Sequence, residues 1–335
     1  MSNTAQKNYN FKGVECVLLK TDRYTAVVAP LMGSSVLRLH DDENAMEIFR
    51  FKEETTAEEI NDAREIWGLP TLYLPNRFYK GVLKTSDAVY QLPINEPLFD
   101  NFIHGWVHKR VHTVEECKAD ENKAVVKTSF TFDKNDEMYQ YFPLDFKISY
   151  TFTLSDENGL MQEIELENLS DKVLPVSLCT HTCINAPICD GGKEEGLLLN
   201  VPIVKRCELN EFHNPTERLL PLSDWDKEYL NGKKPTQQVI CNDMYTACMN
   251  TLDGEEFYGV VISDTITGKK IANEVSKEFR FWNMWNHDGD KGYFCPEPMT
   301  AMINSPNLSL PNEVSGYCEI KNGEKYTCWQ RFFTL

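Results

Sequence analysis

Short runs of β-forming residues, each closed by a turn signal, recur along most of the chain and restrict it to antiparallel sheet architectures. Residues 14–19, 24–29 and 35–39 open the series, and 125–132, 146–154, 160–167 and 173–179 continue it. Residues 257–263, 279–285, 316–320 and 327–333 close it. Several alternate apolar and polar side chains at period two, as in Ile148, Tyr150, Phe152 and Leu154, which is the pattern of a strand with one buried face. Asn158-Gly159, Asp253-Gly254 and Asn322-Gly323 sit between such runs. These dipeptides tolerate the positive φ angles of tight hairpin turns, so they predict antiparallel neighbours. Helical signals are few. Residues 56–67 start at a capping threonine followed by an acidic first turn, and 223–229 suffice for one or two turns.

With 335 residues and no Pro-, Gly- or Ser-rich linker, repeat or low-complexity tract, the chain is expected to form one domain, residues 1–335. The expected class is all-β, a large antiparallel β-sandwich, with residues 1–11 as a flexible lead-in. Fifty-one acidic residues against 34 basic ones give a net charge of −17. Such a polyanion is repelled by phosphate backbones and anionic bilayers, so neither nucleic acid nor membrane is an expected partner. No window approaches the ~20 apolar residues of a membrane span. Eleven cysteines without a paired framework, behind an N-terminus with no apolar leader, point to reduced thiols and a cytoplasmic location.

Four segments differ from ordinary strand filler: residues 68–78 (GLPTLYLPNRF), 103–106 (IHGW, following LPINEP), 179–187 (CTHTCINAP) and 293–300 (YFCPEPMT). Each sets a charged or titratable residue among apolar, Gly or Pro neighbours. Burying such a group is costly unless it is paired or functional.

In order and content these motifs resemble the aldose 1-epimerase (galactose mutarotase-like) family. The resemblance rests on Asn76-Arg77, Leu92-Pro93-Ile94-Asn95 with His104-Gly105, His181, Asp243 and Glu297-Pro298, and runs from about residue 12 to the C-terminus. It implies the antiparallel supersandwich and an isomerase that opens and recloses a sugar ring to exchange its anomers. By that resemblance Glu297 is the general base and His181 the general acid. Arg77, His104 and Asp243 bind sugar hydroxyls, and Asn76 helps to hold Arg77. Neither a cofactor nor a metal is implied. The partner is a neutral monosaccharide, met by a monomer or weak homodimer. The residue types suit such proton transfers, because a histidine titrates near neutrality and a partly desolvated glutamate can have its pKa raised towards the working range. The flanks of His181, Thr180 and Thr182-Cys183-Ile184, depart from the family's usual Asn before this histidine and aromatic pair after it. They motivate an alternative, a non-catalytic carbohydrate-binding or sensing protein on the same fold.

Three other patterns have plainer readings. His104, His108 and His112 recur every fourth residue, but Gly105 and the β-type alternation that follows argue against a helix lined with metal ligands, and His108 and His112 are expected to be exposed. Cys179, Cys183 and Cys189 surround His181 without the paired spacing of a zinc site. Residues 286–297 hold oxygen ligands at calcium-loop positions but have Lys291 where the sharp turn needs glycine.

Overall fold

The computed structural model describes residues 3–236 and 241–335. Two eight-stranded antiparallel sheets carry the architecture. The first runs in the order Thr113–Ala119, Ala124–Phe132, Phe146–Ser155, Gly159–Asn168, Lys325–Thr334, Lys270–Val275, Gly259–Asp264 and Leu197–Asn200. The second runs Pro215–Pro221, Ile203–Leu209, Asn242–Ala247, Phe281–Trp285, Tyr293–Met299, Cys179–Thr180 and Thr71–Leu72, with Ile184–Asn185 also paired to Tyr293–Met299. This is the antiparallel β-sandwich expected from the alternation. Phe146, Ile148, Tyr150, Phe152 and Leu154 bury one face of the first sheet, beside Leu160, Ile164 and Leu166 of the next strand. Fully burying one such side chain is worth about 1.5–3 kcal/mol, which makes this shared face the main stabilising element.

Polar side chains cross that core. Gln330 donates to Gln162 (2.7 Å), and Gln162 donates to Thr71 on the second sheet (3.0 Å). Thr180, the residue before His181, donates to Gln330 Oε1 (3.3 Å). Both glutamine amides are thus satisfied at both ends, which buried amides require. The chain of bonds ties the strand leading into His181 to the opposite sheet.

Of the expected turns, Asn158-Gly159 closes the hairpin between Phe146–Ser155 and Gly159–Asn168, and a Cβ on Gly159 (φ 65°) would lie 2.0 Å from the Phe332 carbonyl oxygen. Asp253 and Gly254, both at positive φ, join Asn250–Leu252 to Glu255–Phe257. Asn322-Gly323 does not close a hairpin. Cys318–Ile320 pairs with Leu174–Val176, and Lys325–Thr334 joins the large sheet.

The N-terminal lead-in is corrected. Thr4–Phe11 is a strand that pairs with Val14–Lys20 and begins a five-stranded sheet continued by Tyr24–Ala29, Ser35–Asp41 and Met46–Glu47. Lys12 and Gly13, both at positive φ, make the intervening turn, and Phe11 is buried with Trp67 and Ile60. The first expected helix is shorter than its sequence pattern. The Thr56–Glu59 capping box opens Ala57–Asp62, and the extended φ of Ala63 (−141°) ends it. Ser223 caps Asp224–Asn231 with Asp226 in the same reciprocal way. No helix among the described residues is long and apolar enough to cross a membrane.

Candidate active site

Cross-strand register builds the site. Cys179 lies opposite Met299, and Ile184 lies opposite Phe294. Continuing the same register between those points sets His181 opposite Glu297 and Cys183 opposite Cys295. On the other side of Tyr293–Met299, Asn283 lies opposite Glu297 and Trp285 opposite Cys295. Because side chains alternate along a strand, His181, Glu297, Asn283, Cys183, Cys295 and Trp285 all fall on one sheet face.

His181 Nε2 lies 3.4 Å from Glu297 Oε1, and both side chains are almost fully buried. Glu297 Oε1 has no hydrogen-bond partner, while Oε2 accepts a weak bond from Cys179 Sγ (3.9 Å). Burial pushes the Glu297 carboxyl up, and although His181 offsets part of this, its pKa reaches about 7, with Cys183 adding to the rise. Burial would lower the His181 pKa, but Glu297 first and Cys183 second outweigh it and carry the imidazole up to about 9. Around neutral pH the imidazole thus favours its charged form, while burial draws the carboxyl up towards the same range.

The pair lies at a cavity of about 160 Å³ that is also lined by Asn76, Arg77, Ile103, His104, Glu65, Ile66 and Asn242. Arg77 leads the short strand Arg77–Tyr79, opposite Ile103. Its guanidinium grips Glu96 in two-pronged fashion, with Nε–Oε2 and Nη2–Oε1 both 2.8 Å, and Nη1 reaches Asn76 Oδ1 at 3.4 Å. Arg77 thus both neutralises a carboxylate and lines the cavity. His104, at φ 66°, donates its backbone N–H to the Asn76 carbonyl, and its ring meets His181 edge-on at 5.4 Å between centroids. The His-Gly dipeptide has a steric reason, since a Cβ on Gly105 would lie 2.2 Å from the Tyr73 carbonyl oxygen. Burial first, then the neighbouring His181, hold His104 well below the ordinary histidine range. Its buried Nδ1 has no partner.

The structure therefore brings His181, Glu297, Arg77, His104 and Asn76 together. It does not bring in Asp243. That side chain lies on the opposite face of its strand, ion-paired with Arg206, while its neighbour Asn242 lines the cavity. Asn283 and Trp285 are not singled out by sequence reasoning, though the alternation in FWNMW carries the signal. The expectation for His108 and His112 is also corrected, because both are buried. His108 lies 4.0 Å from Glu65, a cavity-lining carboxylate. A wider depression of about 770 Å³ on the other sheet, around Trp329 and Glu163, has no histidine in its lining.

An imidazole and a buried carboxylate thus stand side by side at a small polar cavity on an antiparallel β-sandwich. The chain belongs to the aldose 1-epimerase family, whose sequence profile matches residues 15–332. The crystal structure of a galactose mutarotase-like protein from Clostridium acetobutylicum superposes with a TM-score of 0.95 at 29% identity, covering 100% of this chain and 99% of that one. Galactose 1-epimerase from Lactobacillus acidophilus shares the fold, with a TM-score of 0.76 at 15% identity over 99% and 98% of the two chains. The chromosomal protein LacX of Lactococcus lactis is 25% identical over 228 residues, 67% of this chain and 72% of that protein.

Proposed function

We propose that this protein is an aldose 1-epimerase that interconverts the α and β anomers of a neutral monosaccharide without a cofactor. The observation that carries the reading is the buried ion pair of His181 Nε2 and Glu297 Oε1, 3.4 Å apart, in which Oε1 makes no hydrogen bond. The anomeric oxygen and the ring oxygen of a pyranose are bonded to the same carbon. A base and an acid must therefore stand next to one another to serve both.

Glu297 takes the proton of the anomeric hydroxyl while the His181 imidazolium gives its proton to the ring oxygen. The bond from C1 to the ring oxygen breaks and the carbonyl forms. Rotation about C1–C2 presents the other face of the aldehyde, and the reverse transfers reclose the ring and restore both groups. The charge states suit this direction of transfer, with His181 at about 9 and Glu297 at about 7. His104, held neutral, and Arg77 line the cavity and would meet sugar hydroxyls, and Trp285, also in its lining, would pack against the C–H side of a ring. Among the cavity-lining residues described, Arg77 is the lone permanent cation and already pairs with Glu96, which favours a neutral sugar over a sugar phosphate.

Fresh α-glucose or α-galactose should reach anomeric equilibrium faster with the protein than without it, followed by polarimetry. A panel of aldoses with no acceleration, yet with binding by calorimetry, would instead favour the non-catalytic sugar binder.

A further inference from the structure

The two strands that place His181 opposite Glu297 place a second cross-strand pair one step along, Cys183 opposite Cys295. Their sulfur atoms are 3.3 Å apart, and both residues are buried. Cys183 Sγ also lies 3.7 Å from His181 Nδ1, the ring nitrogen that the acid–base chemistry leaves unused. The two sulfurs and this nitrogen all lie within 4.8 Å of one another. Zinc holds sulfur at about 2.3 Å and imidazole nitrogen at about 2.0–2.1 Å in tetrahedral sites, so its donors stand roughly 3.5–3.8 Å apart. Two of the three spacings need only sub-ångström adjustment to match, and the third, from Cys295 to the imidazole, lies within 4.8 Å and needs a shift of at most about 1.3 Å.

We propose that His181 Nδ1, Cys183 Sγ and Cys295 Sγ form a binding site for a soft divalent ion of the zinc class, and that occupancy silences His181 as an acid. Thiolate and imidazole donors select such ions over calcium or magnesium. Two thiolates neutralise a dication, so the buried complex carries no net charge to be desolvated. Binding forms two metal–sulfur bonds and one metal–nitrogen bond, and the displaced thiol protons and the Nδ1 proton of the His181 imidazolium pass to solvent with no change of oxidation state. The Glu65 carbonyl oxygen lies 3.8 Å from Cys183 Sγ. With its Nδ1 lone pair engaged, His181 keeps a proton on Nε2 but cannot become an imidazolium. Ion binding is independent of the proposed reaction; only the inhibitory consequence rests on it.

The test titrates the full-length, phosphine-reduced protein with Co²⁺ under anaerobic conditions. One equivalent should give the near-ultraviolet thiolate-to-cobalt band and the visible bands of a tetrahedral site, and Zn²⁺ should abolish both. Mutarotation should fall in step with occupancy. Even outer-shell partners cost about 10–100-fold in metal affinity, so Cys183→Ser and Cys295→Ser should each weaken binding by more than about 100-fold, whereas Cys207→Ser should leave it unchanged. Should the serine variants misfold, a zinc-induced rise in the wild-type melting temperature that saturates at one equivalent carries the same test. The absence of a thiolate band, or a band that survives both substitutions, overturns the site. A band that depends on both cysteines in a protein without mutarotase activity would uphold the site and reject the reaction.

Discussion

His112 and His181 are both buried imidazoles, yet burial pushes the one towards its neutral form while its partners push the other towards its charged form. His112 stacks against Phe130 and Tyr150, with ring centroids 5.6 and 5.4 Å away. Its ring nitrogens meet the Ser34 hydroxyl at 3.1 Å and the Val107 carbonyl at 3.3 Å. Burial dominates there and holds the pKa down at about 4, against a weak upward pull from the Val107 carbonyl. At His181 burial acts in the same direction, but Glu297 and Cys183 reverse the outcome and the pKa reaches about 9. Desolvation alone makes a histidine neutral. A carboxylate placed opposite it across two strands makes it an acid.

Removing that carboxylate should turn His181 into a second His112, and the largest effect is expected there. Glu297→Gln deletes the base, for a loss of roughly 10²–10⁴-fold in kcat, with sugar binding retained by calorimetry. In the wild type, kcat/KM should fall tenfold per pH unit below about 7, as Glu297 is protonated, and again above about 9, as His181 loses its proton. The two limbs belong to the pair as a unit, since each charge supports the other. In Glu297→Gln the proton of His181 should leave at much lower pH, readable as a shift of its ring resonances. A ring that still titrates near 9 would show that Glu297 is not the cause.

The contrast also separates what was legible in the sequence from what was not. Period-two alternation and the Asn-Gly and Asp-Gly signals carried most of the sandwich, because both are local. Burial of His181 and Glu297 could be anticipated from their apolar neighbours. Asp243 illustrates the limit: a one-residue step in register moves a side chain to the other sheet face, and Asn242 lines the cavity in its place. The pairing of Cys183 with Cys295, 112 residues apart, exists only through cross-strand register. His108 and His112 looked exposed because their own segment is polar, whereas their burial comes from distant partners, Glu65 for one and Ser34 with Tyr150 for the other. Likewise residues 4–11 gain a sheet only by folding back at Lys12-Gly13.

On the His112 side the expected effect is on stability. In the folded protein this ring takes up its proton only near pH 4, against 6.5 ordinarily, so between those values the unfolded chain binds the extra proton. Stability should therefore decline as pH falls through that window, by up to about 3 kcal/mol from this ring. His104 and His108, also held low by burial, add to the same slope. Denaturant unfolding at the two ends of the window should show the slope reduced by about one proton in His112→Asn. An unchanged slope would mean that His112 is not a neutral ring in the folded protein.

The smallest effect sharpens the comparison further, by removing a partner of His112 that carries no charge. In a neutral His112 Nε2–H donates to the Val107 carbonyl, while Nδ1 lies 3.1 Å from the Ser34 hydroxyl, whose own proton goes to Thr128 Oγ1 at 2.8 Å. Ser34→Ala removes the hydroxyl that donates to Thr128 and touches Nδ1, and should cost about 1 kcal/mol in unfolding free energy. Because the lost contact is a hydroxyl rather than a carboxylate, the ring should stay neutral down to about the same pH, and mutarotation should be unaffected. If His112 instead became charged near neutrality in Ser34→Ala, uncharged hydrogen bonds rather than desolvation would be setting the ionisation of these buried rings. The larger share of charging His181 would then pass from Glu297 to the hydrogen bond with Cys183.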